Sequence, residues 1–141
     1  MGKKMNRIGY MTVGDLREVL KHFPDDAEVT VFNAQTKSVD DVIMASQNGN
    51  SLQLTTGDAQ LHRLAGTTKD IVMNTPVSAR FKKFKEYKEL ETAAAAYEAF
   101  HFDDYAKELL DAANVFAEKF SECSLTRTLE PVLEDYQCLY V

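Results

Sequence analysis

The sequence predicts an α+β protein: an N-terminal helix on a three-stranded, mostly antiparallel sheet, followed by a C-terminal antiparallel helical hairpin plus a third helix. Three observations carry that prediction. Val13, Leu16, Val19 and Leu20 recur at helical spacing. Short apolar or alternating runs follow, and an Asn48-Gly49 turn signal joins two of them. From Thr75 onward three apolar stripes repeat at the helical period.

The first helix has a legible start. Thr12 is an N-cap candidate, and Asp15 three residues on is a shorter relative of the capping-box glutamate. Its end is expected near His22-Phe23, because Pro24 disfavours α geometry at Phe23. Asp25 and Asp26 then suit a turn. Glu28–Phe32 alternates, with Val29 and Val31 on one face, and Val39–Ala45 is a second strand. Asn48 and Gly49 both tolerate positive φ, as a type I′ hairpin needs, so Ser51–Thr55 is the returning strand. Residues 8–56 thus form a small α+β module with the 13–22 helix packed on its sheet.

The residues of this stretch also carry a resemblance. Met11-Thr12-Val13-Gly14-Asp15-Leu16, then Leu20, then Phe23-Pro24-Asp25-Asp26-Ala27-Glu28-Val29-Thr30-Val31 resembles a small module common in bacteriophage and prophage proteins. That module has a T-V-G-[DE]-L start, an amphipathic helix, a P-x-D-A-x-V turn and a short hairpin. The resemblance implies a viral or mobile-element origin. It carries no catalytic residues onto this chain and does not extend to the second half.

Residues 57–75 read as a linker or short helical turn. Leu61, Leu64 and Ala65 make a brief apolar pattern, Gly66-Thr67-Thr68 looks like a break, and Ile71-Val72-Met73 looks extended. Residues 76–141 read as three helices. Thr75-Pro76 is an N-cap followed by proline at the first helical position. One stripe then runs through Phe81, Phe84, Tyr87, Leu90, Ala94 and Tyr97. The chain turns at Phe100-His101-Phe102, and Asp103 and Asp104 suit the next helix N-terminus. Tyr105, Leu109, Ala113, Phe116 and Phe120 form the second stripe, and Leu129, Val132, Leu133, Tyr136 and Tyr140 the third, with Pro131 fitting its first turn.

Composition bounds the function. The chain of 141 residues suits about one domain, and 45% hydrophobic with 27% charged residues places it among globular proteins. A net charge of −6 argues against general affinity for nucleic acid or anionic membrane, which repel it. The basic stretch Met1–Arg7 is followed by no apolar core of a signal peptide, and the longest apolar run, Ala93–Tyr97, cannot span a bilayer. A cytoplasmic protein of a bacterial host cell is expected. Cys123 and Cys138 lack any framework spacing and read as free, mostly buried thiols.

No arrangement of catalytic groups stands out. His22, His62 and His101 are not spaced with acids or cysteines as metal ligands, so each reads as structural, and no metal or other cofactor is expected. The adjacent acids Asp25-Asp26, Asp40-Asp41, Asp103-Asp104 and Glu134-Asp135 read as solvated turn and helix-start residues rather than acid/base pairs.

Charge distribution says more. Arg80, Lys82, Lys83, Lys85 and Lys88 crowd one helix start, while Glu118 and Glu122 crowd the next helix end. An antiparallel hairpin would set Lys82, Lys83 or Lys85 beside Glu118 or Glu122. Glu98, Asp103, Asp104, Glu108, Asp111, Glu130, Glu134 and Asp135 then remain without nearby bases in sequence. Such a surface reads either as solubilising charge or as a binding surface whose pattern imitates a phosphate backbone. The expected function is a non-catalytic, phage-type accessory protein that binds a host or viral protein. Its acidic helical surface would inhibit a nucleic-acid-handling or defence enzyme. The alternatives are a structural, self-assembling module, including a homo-oligomer, or a small-ligand binder.

Overall fold

The computed structural model describes residues 9–141. Ile8, the expected first residue of the module, and the basic stretch 1–7 lie outside the described residues. The chain divides into two compact units, Met1–Thr56 and Gly57–Val141.

The first unit holds α1 (Val13–Leu20), β1 (Thr30–Asn33), β2 (Ser38–Asn48) and β3 (Ser51–Thr56). The sheet is antiparallel in the order β1-β2-β3. Thr12 caps α1 in a complete capping box. Its Oγ1 accepts from the Asp15 N–H at 3.2 Å, and the Asp15 carboxylate accepts from the Thr12 N–H at 2.9 Å. The helix ends at Leu20, ahead of Pro24.

The hairpin turn differs from the expected type I′. Asn48 stays in β2, paired with Ser51, so Gly49 and Asn50 make the turn. Gly49 has φ 60°, but Asn50 is not at positive φ, and a type I′ turn needs both. A bulge between Val42 and Met44 shifts the β2–β3 register. Met11, Val13 and Leu16 line one side of a shallow cleft and Leu52 and Leu54 the other, so α1 sits over that face. This packing is loose: α1 buries no residue, and neither does any other described part of 9–56.

The second unit is α2 (Ala59–Asn74), α3 (Ala79–Lys82), α4 (Lys85–Ala99), α5 (Asp103–Lys119) and α6 (Ser124–Tyr140). Residues 57–75 are therefore not a linker. They contribute a sixteen-residue helix whose Leu61, Ala65, Thr68 and Val72 are buried, and α4, α5 and α6 all pack against it. Asp58 starts it by accepting from the Leu61 N–H at 3.1 Å. Gly66 and the two threonines do not break it. Thr67 and Thr68 fold their hydroxyls back onto the carbonyls of Arg63 and Leu64.

That longer helix moves the next start. Thr75 is the C-cap of α2, its N–H donating to the Ile71 carbonyl, and Pro76 lies in the following loop. Helix resumes at Ala79 and is interrupted at Lys83-Phe84 before α4. Pro131 also falls inside α6 rather than in its first turn, because Ser124 begins the helix and Leu125 and Thr126 are already buried. The Thr126 hydroxyl donates to the Phe120 carbonyl at 2.6 Å and fastens this start to the end of α5. Both cysteines are free, but only Cys123 is buried; Cys138 is exposed because it follows the buried Tyr136 by two positions on a single-faced helix.

Candidate functional site: the acidic face of α5 and α6

Two of the bases at the start of the hairpin, Arg80 and Lys85, find acids, with different pairings from those expected, and Lys82, Lys83 and Lys88 have none within 4.0 Å among the described residues. Arg80 reaches Glu122 at 4.0 Å, Lys85 reaches Glu89 on its own helix at 4.0 Å, and Lys119 reaches Glu86 at 3.0 Å. The start of α4 and the end of α5 thus lie side by side, and the cross-helix lysine belongs to α5 rather than α4. The Glu86 carboxyl is held below its ordinary range, first by its own backbone N–H and then by Lys119. Lys119 also stands over the rings of Phe84 and Phe120.

The acids farther along do not find bases. Asp104, Glu108, Asp111 and Glu118 follow one another at spacings of four, three and seven, which puts them on one stripe of α5. Glu130 and Glu134 share a stripe of α6 by the same rule. Between the helices is an open cleft of about 340 Å³ lined in part by Asn114, Glu118, Glu130, Glu134 and Gln137. Among the described residues, none of these six carboxylates lies within 4.0 Å of a Lys, Arg or His nitrogen. Asp111 accepts from the Tyr136 hydroxyl at 2.8 Å, and Glu118 accepts from Asn114 at 3.5 Å. All six are exposed.

The remaining acids of the predicted set stand apart. Glu98, at the end of α4, lies 3.9 Å from Lys69. Asp103 is bound to His62, and Asp135 sits five positions from Glu130, on another side of α6. Glu118 is not in the predicted set, because the sequence places it beside the basic cluster. Its seven-residue spacing from Asp111 places it on the stripe.

A second polar group ties the helices together at the opposite end of α5. His62 Nε2 lies 2.6 Å from Asp103 Oδ1, and its Nδ1 lies 2.8 Å from the Tyr97 hydroxyl. With Nε2 donating to the carboxylate, a neutral ring accepts from the phenol at Nδ1. Asp58 accepts from the Tyr140 hydroxyl at 2.9 Å while capping α2. Burial, seconded by Asp58, pushes Tyr140 up to about 12; burial, seconded by Asp111, does the same for Tyr136. Burial also raises Tyr97. The carboxylate–imidazole–phenol order resembles a proton relay, but the imidazole side chain is only 8% exposed and Tyr97 3%. A general base must reach the proton it removes; the ring and the phenol are closed against the core, and only the Asp103 carboxylate, 48% exposed, meets solvent. The effect of the group is to lock α2, α4, α5 and α6.

His22 and His101 join no such group with the cysteines, and no three His, Cys, Asp or Glu among the described residues stand close enough to share a metal ion. Among the described residues no helix is long and apolar enough to cross a membrane. No protein family, curated protein or solved structure matches the chain.

Proposed function

We propose that the protein is a non-catalytic, phage-type accessory protein that binds a basic surface of a protein partner through the carboxylates of α5 and α6. One observation carries this reading: among the described residues, Asp104, Glu108, Asp111, Glu118, Glu130 and Glu134 share neighbouring helix faces with no Lys, Arg or His nitrogen within 4.0 Å, whereas Glu86, Glu89 and Glu122 near the start of the hairpin each have one. Like charges so arranged repel one another, and a basic partner would relieve that repulsion. The helices beneath are fixed by a buried core, so the acids are held in register before a partner arrives. An enzyme with a groove for nucleic acid, including a defence enzyme of a bacterial host, has the required complementary charge. Filling that groove would inhibit it. The reading places the protein in the host cytoplasm.

The test compares two charge-reversed proteins. One carries Lys at Asp104, Glu108, Glu130 and Glu134, and the other carries Lys at Asp25, Asp26, Asp40 and Asp41. Both change the net charge equally. A bacterial protein captured by the wild type at low salt should be lost with the helical set, retained with the other, and weakened by added salt. Equal loss from both sets would leave only nonspecific attraction and refute the assignment.

A further inference from the structure

The sheet of the first unit ends on β3, whose residues Ser51-Leu52-Gln53-Leu54-Thr55-Thr56 contain no charge and no proline. Among the described residues β3 pairs with β2 on one side only, and none of them pairs with the backbone N–H and C=O groups along its other side. Edges are ordinarily blunted by charge, proline, a bulge or a cover. The bulge here lies on β2. The other edge strand, β1, is four residues long and directly neighbours Asp40 and Asp41 of β2.

We propose that two copies of this chain pair antiparallel through their β3 edges, forming one continuous six-stranded sheet across a two-fold axis. Charge favours a second copy at this edge. Two chains of net charge −6 repel over most of their surfaces, yet β3 against β3 sets no charge against its like. β1 is uncharged as well, but with four residues against six it offers fewer backbone groups to pair. The strand is also self-complementary. A register centred on Gln53 sets Leu52 opposite Leu54 of the second copy, twice, on the face that carries Val13 and Leu16 of α1.

Area sets the strength. Two six-residue strands fall short of the roughly 1,200 Å² that a specific interface buries, so the adjoining apolar side chains take part. Met11, Val13, Leu52 and Leu54 are 51%, 44%, 46% and 41% exposed. Their burial gives a reversible, concentration-dependent dimer. This inference is independent of the α5–α6 reading, which concerns the other unit.

The test uses the full chain with Cys138→Ser, leaving buried Cys123 as the remaining native thiol. Antiparallel partners have Cα atoms about 4.5–5.5 Å apart, within reach of a disulfide. Gln53→Cys should therefore give a covalent dimer under mild oxidation, and Phe32→Cys on the outer face of β1 should not. By sedimentation equilibrium the parent protein should dimerise reversibly. Leu54→Lys should weaken the dimer at least about tenfold, while Phe32→Lys leaves it unchanged. A parent protein monomeric at every concentration overturns the proposal. So does a dimer that survives Leu54→Lys but dissociates with Phe32→Lys, or faster crosslinking through Phe32→Cys. Gln53→Cys retains its force even where Leu54→Lys disturbs folding.

Discussion

In Gly57–Val141, Leu90, Leu109, Leu110, Phe116, Leu125 and Leu129 are wholly closed off from water, whereas in Met1–Thr56 Val13, Leu20, Phe32, Val39, Leu52 and Leu54 remain 41% to 63% exposed. The helical unit gains about 1.5–3 kcal/mol for each large side chain it encloses. The sheet unit leaves much of that gain unrealised. A three-stranded sheet has two faces to cover, and one eight-residue helix shades part of one of them. By the register, Phe32 and Val39 form an exposed pair on the face away from Leu52 and Leu54. The difference separates a unit stabilised by its own core from one with surface left for association.

The sharpest challenge to this contrast is a pair of truncations. Phe116→Ala removes a ring with 0% exposure that meets Tyr87 and Phe120, and should cost about 3–5 kcal/mol in denaturant unfolding. Phe32→Ala removes a ring 63% exposed and should cost no more than about 0.5 kcal/mol. Similar losses would erase the distinction between the units.

His62→Ala should follow at about 1–3 kcal/mol, since it leaves the buried Tyr97 hydroxyl without its imidazole partner. Tyr97→Phe in the same background should recover part of the loss, as measured by thermal unfolding.

Alkaline pH should act chiefly on the helical unit. Tyr136 and Tyr140 ordinarily ionise near 10.0 and are pushed up to about 12, and Tyr87 and Tyr97 are raised as well, all mainly by burial. Their contribution is fully present below about pH 10, where both folded and unfolded states keep the proton. Between pH 10 and 12 the unfolded chain ionises first, so stability falls as pH rises. Unfolding followed by phenolate absorbance should track this window, and a flat profile would count against burial of these phenols. Glu86→Gln weakens an ion pair whose Lys119 end is half-exposed, and should lower the denaturation midpoint only slightly.

Local signals in the sequence were legible and non-local ones were not. The Thr12–Asp15 capping box, the helix stop before Pro24 and the break at Phe100–Phe102 depend on residues a few positions apart, and the structure contains all three. α2 was obscured because Gly66-Thr67-Thr68 has poor helical propensity, and only packing by α4, α5 and α6 repays it. Its Asp58 cap was available as a signal. Pairing across helices was harder. His62 meets groups 35 and 41 residues away, and Lys119 reaches back 33 residues to Glu86, so spacing along the chain revealed neither. The acidic stripe is partly visible, but grouping all eight acids mixes Glu98 and Asp103, which lie beside Lys69 and His62, with acids that have no Lys, Arg or His nitrogen within 4.0 Å among the described residues.

Amide hydrogen exchange measured across a range of protein concentrations tests the contrast most directly. In dilute solution, amides of α2, α4, α5 and α6 should exchange slowly and those of residues 30–56 much faster, because protection follows buried packing. Raising the concentration should slow exchange along β3 and leave α5 unchanged. Equal protection of β3 and α5 at the lowest concentration, with no change as the protein is concentrated, would contradict the account.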